Sequence, residues 1–561
     1  MATSFGRRAI RLALVSSVAV VAVIAAPAAD AAPAQSPIHW SACYKALAAE
    51  FGVKYECATV NVPLDYAARN GPVVQLALVR LPARNQAAKI GSLFLNPGGP
   101  GGSGVDFALF FGPDVESIWG PQVRARFDIV GFDPRGIGRS TAIKCFGNEK
   151  QAERVFPPFA FPLTAAEVAI VARGDGLLAD QCAQRGNKIS THMSTANVAR
   201  DLDLLRQAVG DQQLNYAGFS YGTYLGVTYA NLFPGRVRSL VVDGVLDPIA
   251  WANVNGAIPF STRLRSDQGA QVTLERLFAL CEAAENGNCA LAPNSADRFA
   301  ALAERLRAEP VLVTDPETGE QFFVTYQDLI AVTLGTLYDP FGYADLANLL
   351  AALESFASPA RIGTALARLE ASSGLVNKRG FPHYVNFAEG FPAVACEDSN
   401  NPTDYHVWST QGAAADEAFG YFGRIWTWAS SPCAQWPLDD HGRYLGPFTA
   451  RTANPVLVIG NLYDPATRYQ GAQTVRGLLP NSALLTVDVP GHTSLGASAC
   501  AGFLTGQYLL NPGAAARIDG EVCPVEFNPF DLVAGASTSA KGLFPGLRAK
   551  LMADIAFRPI R

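Results

Sequence analysis
The chain has 561 residues, 49% of them hydrophobic and 17% charged, with a formal net charge of −5. Such a composition buries a large core and excludes a disordered chain. Its mild negative balance leaves no basic footprint for nucleic acid and no acidic tail.

At the N-terminus, Arg7, Arg8 and Arg11 precede an apolar run from about Leu12 to Ala26, and Ala-x-Ala patterns end at Ala28 and Ala31. This order reads as a secretory signal peptide over 1–31, with Arg7-Arg8 hinting at a twin-arginine route. The run is short for a bilayer span, so a secreted chain with no membrane span after cleavage is expected. Ten cysteines, an even number, argue for disulfides in an exported protein. Pairing neighbours in order is the simplest arrangement because it closes short loops. No Cys-x-x-Cys occurs and no metal site is expected.

From Cys57, "CATVNVPLDY" and "PVVQLALVRLPA" read as strands separated by "AARNG". "GSLFLNPGGPGGSG" is a short apolar strand that breaks into a glycine-rich loop, and "RFDIVGFDPRGIGRS" is a buried strand ending in a polar turn. "STANVARDLDLLRQAVG" spaces Val198, Leu202, Leu205 and Val209 as one helical face, with Ser194 or Thr195 as its cap. "LNYAG" is a strand, "YGTYLGVTYANLF" a helix stopped by Pro234, and "RVRSLVVDGVLDP" a further strand. Strands apolar on both sides that alternate with helices predict an α/β fold with a mostly parallel sheet and helices on both faces. After Pro248 the pattern turns mainly helical until about Ala450, then resumes with "NPVLVIGNLYDPATRY" and "SALLTVDVPGHTSLG". The expected organisation is a first core part over 37–248, a large helical cap insertion over 249–450, and a C-terminal core part over 451–561.

Gly218-Phe219-Ser220-Tyr221-Gly222 stands between a strand and a helix, where an α/β-hydrolase places its nucleophile on a turn too tight for side chains. A serine hydroxyl needs a base, and the base needs a carboxylate to hold its tautomer. In this fold the order is Ser, then Asp or Glu, then His. Asp464 follows one resumed strand and His492 the next. Of six histidines, only His492 follows a strand after a candidate acid. Asp243 and Asp247 are rival acids, although Asp247 before Pro248 reads more simply as a turn residue. The oxyanion needs two donors: the N–H of Tyr221 and one from the loop 96–104, for which Gly99 is favoured over Gly98. The loop lacks a P-loop lysine and a dinucleotide glycine spacing, so no cofactor is expected. Asp133, Arg135 and Arg139 read as charge pairs bracing this loop.

Together "LNPGGPGGSG", "DIVGFDPRGIGRS", "YAGFSYGTYLG", "DGVLDP", "GNLYDPATRY" and "PGHTSLG" resemble the secreted tripeptidyl aminopeptidases of actinobacteria, serine exopeptidases related to prolyl aminopeptidases. The resemblance runs from about Trp40 through Cys523 and implies Ser220, Asp464 and His492 as the triad. Prolyl aminopeptidases usually carry a histidine before the oxyanion-loop glycines; Asn96-Pro97 stands there instead, which favours the tripeptidyl branch. The implied partners are peptides with free N-termini, acted on by a monomer. Carboxylates would pair with the free ammonium. Glu397 and Asp398 in "AVACEDSNNPTD" resemble the family's acidic segment, with Cys396 pinned to Cys433. Phe419, Tyr421, Phe422, Trp426 and Trp428 read as cap core rather than pocket lining. Related secreted esterases share the core motifs, so a carboxylesterase is the alternative.

Overall fold
The computed structural model describes residues 38–532, apart from residues 69, 317, 356–357 and 374–385. The expected signal peptide lies outside the described residues. Twelve strands are present among them: β1 (Ser41–Cys43), β2 (Tyr55–Pro63), β3 (Val73–Leu81), β4 (Gly91–Asn96), β5 (Phe127–Phe132), β6 (Leu214–Phe219), β7 (Val237–Asp243), β8 (Val311–Thr314), β9 (Gln321–Val324), β10 (Val456–Tyr463), β11 (Ser482–Pro490) and β12 (Val522–Cys523). The helices that matter for the site are α1 (Gly104–Phe111), α2 (Ala165–Arg185), α3 (Thr195–Ala208), α4 (Tyr221–Leu232), α5 (Ser266–Glu282) and α6 (Phe387–Asp398).

Ten strands form one sheet in the order β1-β2-β3-β5-β4-β6-β7-β10-β11-β12. β1, β2 and β3 pair antiparallel, and every pairing from β5 to β12 is parallel. β4, β5 and β6 are buried along their whole length. Successive side chains leave a strand on opposite faces, so a strand covered on both sides must be apolar throughout. Phe94, Val130, Tyr216, Leu240, Val242 and Val458 pack into one core with α3 and α4. Their neighbours Leu93, Leu95, Ile129, Ala217, Val241 and Ile459 pack into a second core with α1 on the opposite face.

Between β7 and β10 the chain is mainly helical, with a core of its own that includes Leu274, Leu277, Phe299, Leu329 and Leu346. Two details differ from a purely helical insertion. β8 and β9 form an antiparallel hairpin within it. Phe161 and Val171, which precede Ser220 in the chain, also belong to this core. Phe422 and Trp428 are buried there, with Tyr421 and Trp426 packed against it, as expected of cap-core aromatics. Phe419 instead stays partly exposed beneath the Arg265 guanidinium.

The ten cysteines pair as chain neighbours: Cys43–Cys57, Cys145–Cys182, Cys281–Cys289, Cys396–Cys433 and Cys500–Cys523. Among the described residues no helix is long and apolar enough to cross a membrane.

The braces expected around the glycine-rich loop divide in two. Asp133 accepts the Ser103 hydroxyl, the Val105 N–H and the Arg139 N–H, while Arg139 also pairs with Asp106, so these two hold the loop's exit into α1. Arg135 does not join them. It is fully buried, forks onto Asp201 of α3, and donates to the carbonyls of Pro63, Leu64 and His192. A guanidinium fork suits a carboxylate because both are planar and bidentate. Arg135 therefore ties the end of β2 to α3.

Candidate active site
The parallel strands end on one edge of the sheet, where an open α/β sheet places its ligand site. In register, Asn96 of β4 lies beside Gly218 of β6, and Asp243 of β7 lies beside both Phe219 and Ile459. The sequence-predicted residues follow directly. Ser220 comes after β6, Asp464 after β10 and His492 after β11.

Ser220 sits at φ 56°, ψ −127°, a region that few non-glycine residues adopt. The turn closes because Gly218 and Gly222 lack side chains. A Cβ on Gly218 would lie 2.3 Å from the Gly222 carbonyl oxygen, and one on Gly222 would lie 2.7 Å from the Asn96 carbonyl oxygen. The Ser220 N–H donates to the Asp243 carbonyl (3.1 Å), and the Thr223 N–H returns to the Ser220 carbonyl (2.9 Å), starting α4.

His492 is fully buried, and its Nδ1 lies 2.9 Å from both oxygens of Asp464. The carboxylate is itself aimed by the N–H groups of Ala466 and Thr467 and by the Thr467 hydroxyl. The His492 N–H donates to the Tyr338 carbonyl, and the Tyr338 ring meets the imidazole edge to face at 5.1 Å. Asn461 donates to the carbonyls of Gly491 and Thr493 and so holds the loop from below.

The rival acids have other work. Asp247 caps a short helix by accepting the N–H groups of Ile249 and Ala250. Asp243 accepts the Ser494 N–H (2.9 Å) and hydroxyl (2.8 Å) through its carboxylate, while its carbonyl holds Ser220. It therefore connects the serine turn to the histidine loop, while Asp464 holds the imidazole nitrogen.

The glycine-rich loop lies against the serine turn. A Cβ on Gly98 would meet the Phe219 carbonyl at 2.4 Å and the Tyr221 nitrogen at 2.9 Å. The Gly98 N–H is already given to Asn96 Oδ1 (3.0 Å). The N–H of Gly99 makes no hydrogen bond among the described residues. Tyr221 is the first residue of α4, where a backbone N–H has no partner within its own helix. The Tyr221 N–H thus stands beside Ser220, and the Gly99 N–H belongs to the loop that packs against the serine turn.

Glu397 and Asp398 differ from the expectation of an amine-binding pair. Both are buried in the last turn of α6. Asp398 accepts the N–H and hydroxyl of Thr195 and the indole N–H of Trp251 (3.3 Å). Glu397 accepts the Met193 N–H (3.0 Å), and Asp440 accepts the Ser194 N–H (2.9 Å). Three carboxylates from distant sequence thus cap the N-terminus of α3, which favours negative charge. The expected cap by a Ser194 or Thr195 side chain is absent: the Asn197 N–H goes to the Ser194 carbonyl, and the Thr195 hydroxyl donates to Asp398. Thr195 Oγ1 also meets the Tyr221 hydroxyl, which links the cluster to the residue beside Ser220. Burial pushes Asp398 up to about 7 and Glu397 well above the usual carboxylate range.

The fold and this strand-end arrangement define an α/β-hydrolase, and residues 91–308 match the alpha/beta hydrolase fold model while residues 418–523 match that of TAP-like proteins. The chain is 29% identical over 496 residues to a tripeptidyl aminopeptidase of Streptomyces coelicolor, with 86% of each chain covered. It is 31% identical to the serine protease Hip1 of Mycobacterium tuberculosis, covering 82% of this chain and 85% of that one. Carboxylesterase B of the same organism is 32% identical with the same coverage. The chain belongs to the tripeptidyl-aminopeptidase family of α/β-hydrolases and is a serine hydrolase.

Asp464→Asn is expected to lower kcat by about 10³–10⁴, as loss of the histidine's orienting carboxylate does. Asp243→Asn, which only shifts the two loops relative to each other, is expected to cost no more than about 10². Steady-state kinetics of the two variants separate these roles. The buried carboxylates set the pH dependence of stability. A carboxyl whose folded pKa lies above its unfolded value contributes stability that is full below about pH 4 and is lost as pH rises through about 7. Unfolding followed from pH 5 to 8 should therefore show a falling stability, with a slope on the order of 1 kcal/mol per pH unit for one such group. Asp398→Asn should flatten that slope.

Proposed function
We propose that the protein is a secreted serine aminopeptidase that releases short peptides, tripeptides in the simplest reading, from free N-termini. The observation that carries the chemistry is the His492–Asp464 pair beside a strained serine turn, against which the glycine-rich loop packs at Gly98. Ser220 Oγ attacks the scissile carbonyl carbon while His492 Nε2 takes its proton. Asp464 holds the Nδ1 proton and stabilises the imidazolium. The N–H groups of Tyr221 and Gly99 hold the oxyanion. His492 then gives the proton to the leaving amine. A water, deprotonated by the same imidazole, cleaves the acyl-enzyme and restores Ser220.

The exopeptidase reading is supported by kinship with tripeptidyl aminopeptidases and Hip1. Residues 249–450 would form the cap that limits entry, joined by Phe161 and Val171. Export through the segment 1–31 is supported by five disulfides, which persist in oxidising compartments. Direct contact of Glu397 or Asp398 with the substrate amine runs against their burial, so dependence on a free amine is tested on the substrate. A carboxylesterase on the same machinery is the second reading, favoured by the 32% identity to carboxylesterase B.

The test is hydrolysis of matched chromogenic tripeptide amides, one free and one acetylated at the N-terminus, beside a short-chain aryl ester. The expected result is turnover of the free-amine peptide, little of the acetylated one, and a loss of about 10⁶ in kcat for Ser220→Ala. Turnover of the ester with neither peptide cleaved would replace the peptidase by an esterase.

A further inference from the structure
A cavity of about 570 Å³ lies at the other end of the sheet. Its walls include Lys54, Glu56, Arg80, Arg84 and Arg124. Arg124 precedes β5, and Pro82 and Arg84 follow β3, which runs antiparallel to β5. The cavity therefore faces the edge where the parallel strands begin. Ser220, Asp464 and His492 stand where such strands end, about 20 Å away along a six-residue strand.

Its charges are unevenly matched. Glu56 is held by Lys54 (2.5 Å) and Arg80 (2.7 Å). Asp128 behind it is held by Lys89 (3.0 Å), the Gln86 amide and the Ala83 N–H. Among the described residues Arg84 pairs with Glu116 alone, both of them well exposed, and exposed pairs of this kind hold weakly. Arg124 has no carboxylate partner among the described residues. It is 4% exposed, gives Nη1 to the Pro82 carbonyl (2.9 Å), and keeps its Nε–H buried without an acceptor. Burial, and after it the neighbouring charge of Arg84, pull its pKa below the usual guanidinium range. A buried cation facing a like charge is stabilised by an anion placed between them.

We infer that this cavity binds a phosphate-class oxyanion between Arg84 and Arg124, away from the candidate active site. Guanidinium forks match the oxygens of a phosphate, and the volume exceeds that of the free ion, so a phosphate monoester fits as well as orthophosphate. The Arg84–Glu116 pair opens to admit it, and Glu56 remains neutralised by Lys54 and Arg80.

The test is thermal unfolding and isothermal calorimetry of the whole mature protein at constant ionic strength, titrated with inorganic phosphate, with glycerol phosphate, or with chloride. The expected result is saturable binding and a raised Tm with both phosphates and none with chloride. Equal affinities would assign the site to the phosphate group alone, and tighter glycerol phosphate binding to a monoester. Affinity should fall about tenfold in Arg84→Gln, the loss of one charge-assisted hydrogen bond, and persist in Ser220→Ala. Arg124→Gln removes a buried residue and tests the site only if it folds; Arg84→Gln lies on the surface and keeps the test decisive. An equal response to chloride, or an affinity unchanged in Arg84→Gln, would overturn the assignment.

Discussion
The site rests on the backbone of one residue. Ser220 occupies a region of φ and ψ that costs of order 1–3 kcal/mol for a side-chain-bearing residue. Three contacts hold it there. The Asp243 carbonyl accepts its N–H, α4 begins on its carbonyl, and Asn96 packs against Gly222 while Gly98 packs against Phe219 and Ser220. Two of these contacts come from the ends of neighbouring parallel strands, β7 and β4, and the third from α4. The central sheet therefore does more than form a core: it fixes the serine turn from both sides, and the ends of β10 and β11 deliver the histidine and its carboxylate.

Asp243 gives this arrangement its coherence. One residue accepts the Ser220 N–H through its carbonyl and the Ser494 N–H and hydroxyl through its carboxylate. The nucleophile turn and the histidine loop are thus positioned relative to a common atom set, as two catalytic groups require when small displacements cost large factors in rate. The long insertion contributes as well. Tyr338 packs on His492 and accepts its N–H. At Gly101, α6 comes within contact of the glycine-rich loop, and its last turn caps α3 behind Tyr221. The insertion is therefore built into the site's support rather than merely laid over its entrance.

What was legible in the sequence was whatever is local. Buried strands declare themselves as short apolar runs, and the serine turn as glycines between a strand and a helix. Chain order and strand ends suffice to choose Asp464 and His492 among few candidates, and the structure pairs the two. Long-range pairings were not legible. Nothing in the sequence around Arg135 points to Asp201, its buried partner; beside Asp133 and Arg139 it reads as a brace of the glycine-rich loop. Glu397 and Asp398 read as an amine-recognising acidic pair beside a cysteine, whereas the fold buries them against a helix N-terminus about 200 residues earlier in the chain. Asp243 looked like a spare catalytic acid because its type and its place after a strand suit that role; its two hydrogen-bonding jobs appear only when β11 is placed beside β10.

The central claim is that Ser220 is the nucleophile and that Asp464 activates it through His492. The most direct measurement is covalent titration with a fluorophosphonate, followed by mass spectrometry of the proteolysed protein. The account predicts one adduct per chain, on the peptide containing Ser220, with a labelling rate reduced by orders of magnitude in Asp464→Asn. An adduct on a different serine, or equal labelling rates in the two proteins, would contradict it.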